Sequence, residues 1–235
     1  MKNELWLAID TATEVASVAV GTAERIAAAR SMRGARQHAA QIVPLIQDVL
    51  ALARARLEQI EGVIIGDGPG SFTGLRIGWA AAKGLAYEGE LPIVAVPSLL
   101  GAAHAAAAGG AGPVVACFDA LRGQVFGAVY AFPPGRVETL VAPDLFTVPD
   151  LARIAPVRPV QAVGDGAQRY AREIEDWIGR SPLAGDKLPA VAGSLLALAP
   201  LMGYPATGEP IYGRSAEAQV KWEARHGRPL PHSPR

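Results

Sequence analysis

Two apolar runs, Leu5-Trp6-Leu7-Ala8-Ile9 and Val114-Val115-Ala116-Cys117-Phe118, each end on an aspartate, and those aspartates, Asp10 and Asp119, stand 109 positions apart. A short apolar run closed by a polar residue reads as a buried strand. The segments after the two runs also repeat one another. In the first half, residues 17–21 resume an extended pattern after a turn at Thr13-Glu14, and residues 25–30 supply a third strand. Ile42, Leu45, Ile46, Val49, Leu50 and Ala53 then recur at helical spacing. Pro44 conflicts with a helix starting at His38 and requires a later start or a kink. Next come a strand over residues 63–65, a helix over 75–87, a strand over 93–96 and a helix over 99–108. In the second half, a turn at Arg122-Gly123 leads to strands over 125–132 and 137–141 and a short helix over 151–154. A strand over 160–163 and helices over 167–178 and 191–202 complete it. Each half thus reads hairpin, third strand, helix, strand, helix. The expected fold class is α/β, with duplicated mixed sheets and flanking helices. Gly109-Gly110-Ala111-Gly112-Pro113 is a break. It divides the chain into residues 1–108, residues 109–205 and a tail, 206–235, that can pack back on the first half.

The stretch between the first-half strand and helix, Gly66-Asp67-Gly68-Pro69-Gly70-Ser71-Phe72-Thr73-Gly74, carries four glycines in nine residues. Such a loop takes backbone conformations closed to other residues, and Ser71 or Thr73 can cap the next helix. Strand, glycine loop and helix start suit an anion. They also suit a tight turn that packs helix against strand, and the local chemistry favours this second reading. The loop fits neither common phosphate motif: Gly74 precedes Leu75 rather than Lys-Ser/Thr, and Ser71 stands where a dinucleotide fingerprint needs glycine.

Lys plus Arg equals Asp plus Glu, at 22 each, which gives no large basic field for holding a polyanion. The lone Cys117 excludes an internal disulfide and a cysteine metal cluster, and reads as a small core residue. Residues 5–9 are too short an apolar run for a signal peptide or a membrane span, so a cytoplasmic protein without a membrane partner is expected. Ser71 is not set in Gly-x-Ser-x-Gly, and there is no His-Glu-x-x-His, so peptide hydrolysis has no visible machinery. His38, His104, His226 and His232 are scattered and read as surface or hydrogen-bonded residues. Asp67, Asp119 and Asp165 end strands, where catalytic carboxylates occur but where turns also favour aspartate.

The central loop through Gly78, with Lys83-Gly84-Leu85-Ala86 and residues 91–99 (Leu-Pro-Ile-Val-Ala-Val-Pro-Ser-Leu), closely resembles the TsaB (YeaZ) family. The likeness extends to residues 7–13, to Gln37-His38-Ala39 and to residues 119–126, with weaker echoes at 163–167 and Pro210-Ile211-Tyr212. The resemblance implies the ASKHA architecture of actin, hexokinase and Hsp70. It also implies a non-catalytic partner that activates TsaD, which transfers threonylcarbamoyl to adenosine 37 of tRNAs reading ANN codons. TsaE, tRNA reached through the complex and a homodimer in isolation complete the implied partners. In that superfamily, the aspartate after the first strand and its hairpin handle nucleotide phosphates and magnesium. Asp10 holds this place, with Thr11 and Thr13 as hydroxyl donors, but the turn lacks glycine, which favours the reading that the three serve the turn alone. No cofactor of the chain's own is expected, and a nucleotide only at a shared interface. TsaD carries a His-x-x-x-His pair after the strand corresponding to residues 93–96. Here those positions are Ser98 and Ala102, so no bound metal is expected. An atypical ATPase or kinase of this fold is the alternative function, and a glycoprotease-type peptidase ranks last.

Gly74, Gly78 and Ala82 share one helix face at four-residue spacing. That face suits close packing within its own domain or against another subunit. The family pairs through helices of its N-terminal half, so the expected interface is Ile42, Leu45, Ile46, Val49, Gly74, Gly78 and Ala82. Gly66, Gly68, Gly70, Ser71 and Thr73 are read as the structural loop. The tail from residue 213 has five Arg/Lys against two Glu and reads as a solvated helix over 215–225. Gly213 stands before Arg214 where the family usually has leucine.

Overall fold

The computed structural model describes residues 4–34, 37–107, 112–184, 190–206, 208–214 and 225–227. Strands β1 (Leu5–Asp10) and β2 (Val15–Gly21) form an antiparallel hairpin, and β3 (Ile26–Arg33) adds to β2. Helix α1 (His38–Ala53) leads to β4 (Ile60–Gly66), parallel to β1. Helix α2 (Phe72–Gly89) leads to β5 (Ile93–Val96), parallel to β4. After α3 (Ser98–Ala107) the pattern restarts with β6 (Val114–Asp119), β7 (Val125–Ala131) and β8 (Glu138–Phe146). Then come α4 (Val148–Ile154), β9 (Gln161–Val163), α5 (Asp165–Arg169) and α6 (Ala171–Ile178). The second sheet has the order β8-β7-β6-β9. In both sheets the first strand of the half lies between its antiparallel hairpin partner and a later parallel strand. The fold is therefore α/β, with the duplicated ASKHA pattern of mixed sheets.

The chain then returns. Helix α7 (Val191–Met202) packs on β1, β2 and α3, and β10 (Tyr204–Pro205) pairs with β5. The first sheet thus reads β10-β5-β4-β1-β2-β3.

Strand alternation fixes the layers. Leu7 and Ile9 face α1 and α2, whereas Trp6 and Ala8 face the opposite side. That side is a central core in which α3 and α7 meet Val114, Ala116 and Phe118 of the second sheet. Val115 and Cys117 point outward, against α4, α5 and α6. The succession is helices, sheet, helices, sheet, helices.

Three elements differ from their expected form. Helix α1 begins at His38 and runs through Pro44. Proline at this position leaves the Ala40 carbonyl without its helical donor, and both residues are exposed, so water can take that role. The single helix expected over 167–178 is two, broken at Tyr170, whose backbone leaves the helical region (φ −108, ψ 38). Strand β8 runs on to Phe146 rather than ending at 141. Residues 215–224 of the expected tail helix and residues 109–111 of the expected break lie outside the described residues.

Candidate functional site

The elements that the sequence singles out meet at the C-terminal ends of β1 and β4. Asp10 ends β1 and is 2% exposed. Its Oδ1 accepts a long bond from the Ala12 N–H (3.4 Å), and Oδ2 has no partner. The carboxyl points inward, beside the Ser98 hydroxyl, into space that exists because residue 66 is glycine. Burial raises its pKa, with partial relief from Ser98 and the Ala12 N–H. Thr11 is fully buried against Gly78 of α2, its hydroxyl unpartnered. The Thr13 hydroxyl accepts from the Val15 N–H (3.2 Å) and closes the turn. All three candidates thus turn into the chain rather than toward a surface ligand.

The glycine loop directs its donors inward as well. Asp67 N–H bonds the Val96 carbonyl (3.2 Å), Gly68 N–H the Ser98 hydroxyl (3.2 Å) and Ser71 N–H the Ala12 carbonyl (2.7 Å). Ser71 caps α2 by accepting from Gly74 N–H (3.2 Å). Gly70 lies so close to the Ala12 carbonyl that a side chain there would overlap it. Thr73 is exposed on the first turn of α2. Of the two readings of the loop, these bonds favour the tight turn: the N–H groups of Asp67, Gly68 and Ser71 tie the loop to the end of β5, the start of α3 and the turn after β1.

Asp67 itself is 2% exposed. One oxygen accepts a hydrogen bond from the Tyr204 hydroxyl, and Oδ1 has no partner. Burial raises its pKa to about 6, with Asp10 adding a smaller push. The aspartates of the second half are consumed locally. Asp165 accepts from Asp119 N–H (3.0 Å) and Gly166 N–H (2.9 Å), and Asp119 pairs with Arg169 (2.7 Å). Ser98 and Ala102 are buried at the start of α3. His38 is buried with Nε2 on the Glu14 carbonyl (3.1 Å), and His104 lies edge-on to Phe132 at 5.4 Å. His226 is exposed, and His232 lies outside the described residues. Burial pushes the Cys117 thiol up to about 12, so it stays a protonated core group. Among the described residues no three His, Cys, Asp or Glu are grouped to hold a metal, and no helix is long and apolar enough to cross a membrane.

The expected interface residues require correction. Ile42, Leu45, Ile46 and Val49 are buried against the chain's own first sheet, beside Leu7, Ile9 and Val63. Gly74 and Gly78 lie against Thr11, and Ala82 is wholly buried. The helical repeat marks the face that packs on β1, β2 and β4, so these five side chains and two glycines are taken up by packing within the chain. The opposite face is what α1 and α2 present to solvent. The exposed side chains on these two helices include Val43 (54% exposed), Leu52 (50%) and Tyr87 (89%), with Ala39, Ala40, Ala51 and Ala80. Their charged groups include Asp48, Arg76 and Lys83. Around Gly84 the space is open.

A second feature escaped the sequence. Residues 208–214 cross the glycine loop, with Tyr212 stacked on Phe72 (4.7 Å between centroids). Pro210-Ile211-Tyr212 can be picked out from sequence, but not its target in the first half of the chain.

Comparison with known proteins agrees with this architecture. The family model described as "TsaD: tRNA N6-adenosine threonylcarbamoyltransferase" matches residues 32–173. The TsaB protein of Bacillus subtilis is 29% identical over 92% of this chain and 96% of its own length. The Escherichia coli TsaB protein is 42% identical over 53% of this chain, a match that spans about half (54%) of that relative. Both carry the name tRNA threonylcarbamoyladenosine biosynthesis protein. The YeaZ structure from Pseudomonas aeruginosa superposes with a TM-score of 0.68 at 27% identity, over 89% of this chain and 99% of that one. A second structure, described as an uncharacterised protein similar to peptidase YeaZ from Pseudomonas aeruginosa, gives 0.72 at 27% identity over 90% and 100%. With the duplicated sheets, the glycine loop and these matches together, the chain belongs to the family of the TsaD model and, within it, to the TsaB (YeaZ) group.

Proposed function

We propose that this chain is a non-catalytic partner of TsaD in the synthesis of threonylcarbamoyladenosine at adenosine 37 of tRNA. The observation that carries this reading is a division within α1 and α2. Their inner faces build the first half's core, and their solvent sides leave the large apolar side chains Val43, Leu52 and Tyr87 exposed. Exposed apolar side chains of this kind suit a protein partner. In the same reading, a second copy occupies the surface when TsaD is absent, TsaE joins the complex, tRNA is met through TsaD, and the work is cytoplasmic. The first half bears the interface.

Tyr87→Glu tests the surface. Tyr87 is 89% exposed, so the substitution leaves the fold untouched, whereas a buried charge at an interface costs dearly. Titration against purified TsaD should show affinity at least tenfold weaker, with an unchanged thermal midpoint. Unaltered affinity would move the interface elsewhere.

The alternative is an ATPase or kinase of atypical site. Asp10 is sealed beneath Ser98 and Gly66, Thr11 is fully buried, and the Thr13 hydroxyl closes the hairpin turn. The isolated chain should therefore release no phosphate from ATP above the buffer rate. Turnover at an ordinary enzymatic rate, abolished by Asp10→Ala, would establish the alternative instead.

A further inference from the structure

We propose that residues 208–214 form a latch that fastens the two halves of the molecule together across the glycine loop. The latch starts from β10, where the Tyr204 hydroxyl donates to the Asp67 carboxylate. The Ile211 N–H bonds the Asp67 carbonyl (2.8 Å). The Ile211 carbonyl rests directly on Gly68, which has φ +109 and no room for a side chain beneath it. Tyr212 stacks on Phe72, and its hydroxyl accepts from Arg76 Nε (2.9 Å). The Arg76 guanidinium lies 3.8 Å from the Phe72 ring centre. All these contacts are to the first half.

The next two residues cross over. Gly213, at φ +69, lies against both Pro69 and Phe126, one residue from each half. Arg214 then donates to Gln124 Oε1 (2.7 Å), in the turn between β6 and β7. One short segment therefore holds α2, the glycine loop and the second sheet's hairpin turn at once.

The character of these contacts makes the segment releasable. Ile211 is 51% exposed, Tyr212 is only partly buried where it packs on the central core, and the contacts named above are single hydrogen bonds, a ring stack and a cation over a ring. Segments with few buried contacts open below the global unfolding transition. Release would free Arg76 and Phe72 at the start of α2 and, at the same time, Gln124 and Phe126 of the second sheet. The glycine loop and the β6–β7 turn should therefore open together, although they belong to different halves of the chain.

Hydrogen–deuterium exchange on the full chain tests this. In Tyr212→Ala/Arg214→Ala, peptides covering residues 66–76 and 120–126 should both exchange at least tenfold faster, while those of β1 and β6 keep their wild-type rates. Arg214→Ala alone should affect the 120–126 peptide first and leave the thermal midpoint unchanged. Unchanged exchange in either peptide of the double variant would overturn the latch. So would a uniform rise across β1 and β6, which would make the segment an ordinary part of global stability.

Discussion

Gly78→Leu is expected to destabilise the isolated chain strongly, before any partner is involved. A Cβ at residue 78 would overlap the Thr11 hydroxyl and reach Ile65 Cδ1 at 3.4 Å, and Thr11 has no space to retreat because it is fully buried. Overpacking at such a site costs about 1–3 kcal/mol. Helix propensity offsets at most about 1 kcal/mol of that. Gly84→Leu is the matched control. It lies on the same helix, has nothing within 4 Å of its Cβ and faces outward. It should hold or slightly raise stability, by up to about 1 kcal/mol from helix propensity. Urea denaturation of the two variants checks the pair. Equal midpoints would mean that α2 does not seat Gly78 against Thr11 and Ile65 as described.

The second large effect comes from Asp67. Its carboxyl titrates near 6 in the folded chain against 3.8 in its ordinary state, because burial penalises the ion. Between those values the folded chain holds a proton that the unfolded chain has released. Stability therefore falls as pH rises from about 4 to about 6, and levels off above. A shift of this size corresponds to about 3 kcal/mol at neutral pH. Asp67→Asn removes the ionisable group and keeps an amide oxygen for the Tyr204 hydroxyl. The variant should be the more stable protein at pH 7 and nearly equal to wild type at pH 4. Asp10 and Asp165, also raised by burial, remain in both proteins and leave a common residual slope. Denaturant midpoints at pH 4, 5, 6 and 7 measure the difference directly. A pH-independent difference, or a variant weaker at pH 7, would contradict the assignment of the cost to a buried charge.

Much of the fold can be read from local pattern. The two runs ending at Asp10 and Asp119 occupy equivalent central strands, and the hairpins and crossover helices after them fall where the spacing puts them. Such features depend on neighbours a few residues apart. Tyr170 carries no breaker residue, so the division between α5 and α6 had no local signal.

The candidate site divides along the same line. Hydrophobic periodicity finds the buried stripe of a helix, and Ile42, Leu45, Ile46 and Val49 form that stripe. For that reason it could not identify the exposed residues on which the proposed partner surface rests. Those residues, Val43, Leu52 and Tyr87, fall outside the repeat and look incidental in sequence. Gly74 and Gly78 pointed to a close approach, which the structure supplies, but with Thr11 of the same chain. The latch contacts, Tyr204 to Asp67, Tyr212 to Arg76 and Arg214 to Gln124, join residues 90 to 137 positions apart. They exist only once the chain has returned to its first sheet.

The most direct test of the proposed role is tRNA modification reconstituted from purified components. TsaD, TsaE, threonylcarbamoyl-adenylate and an unmodified ANN-reading tRNA are combined with and without this chain, and modified adenosine 37 is quantified by mass spectrometry. The account predicts modification that depends on the chain, survives Asp10→Ala and falls with Tyr87→Glu. Equal modification without the chain, or modification lost with Asp10→Ala in a variant that still folds and binds TsaD, would contradict a non-catalytic partner acting through the outer face of α1 and α2.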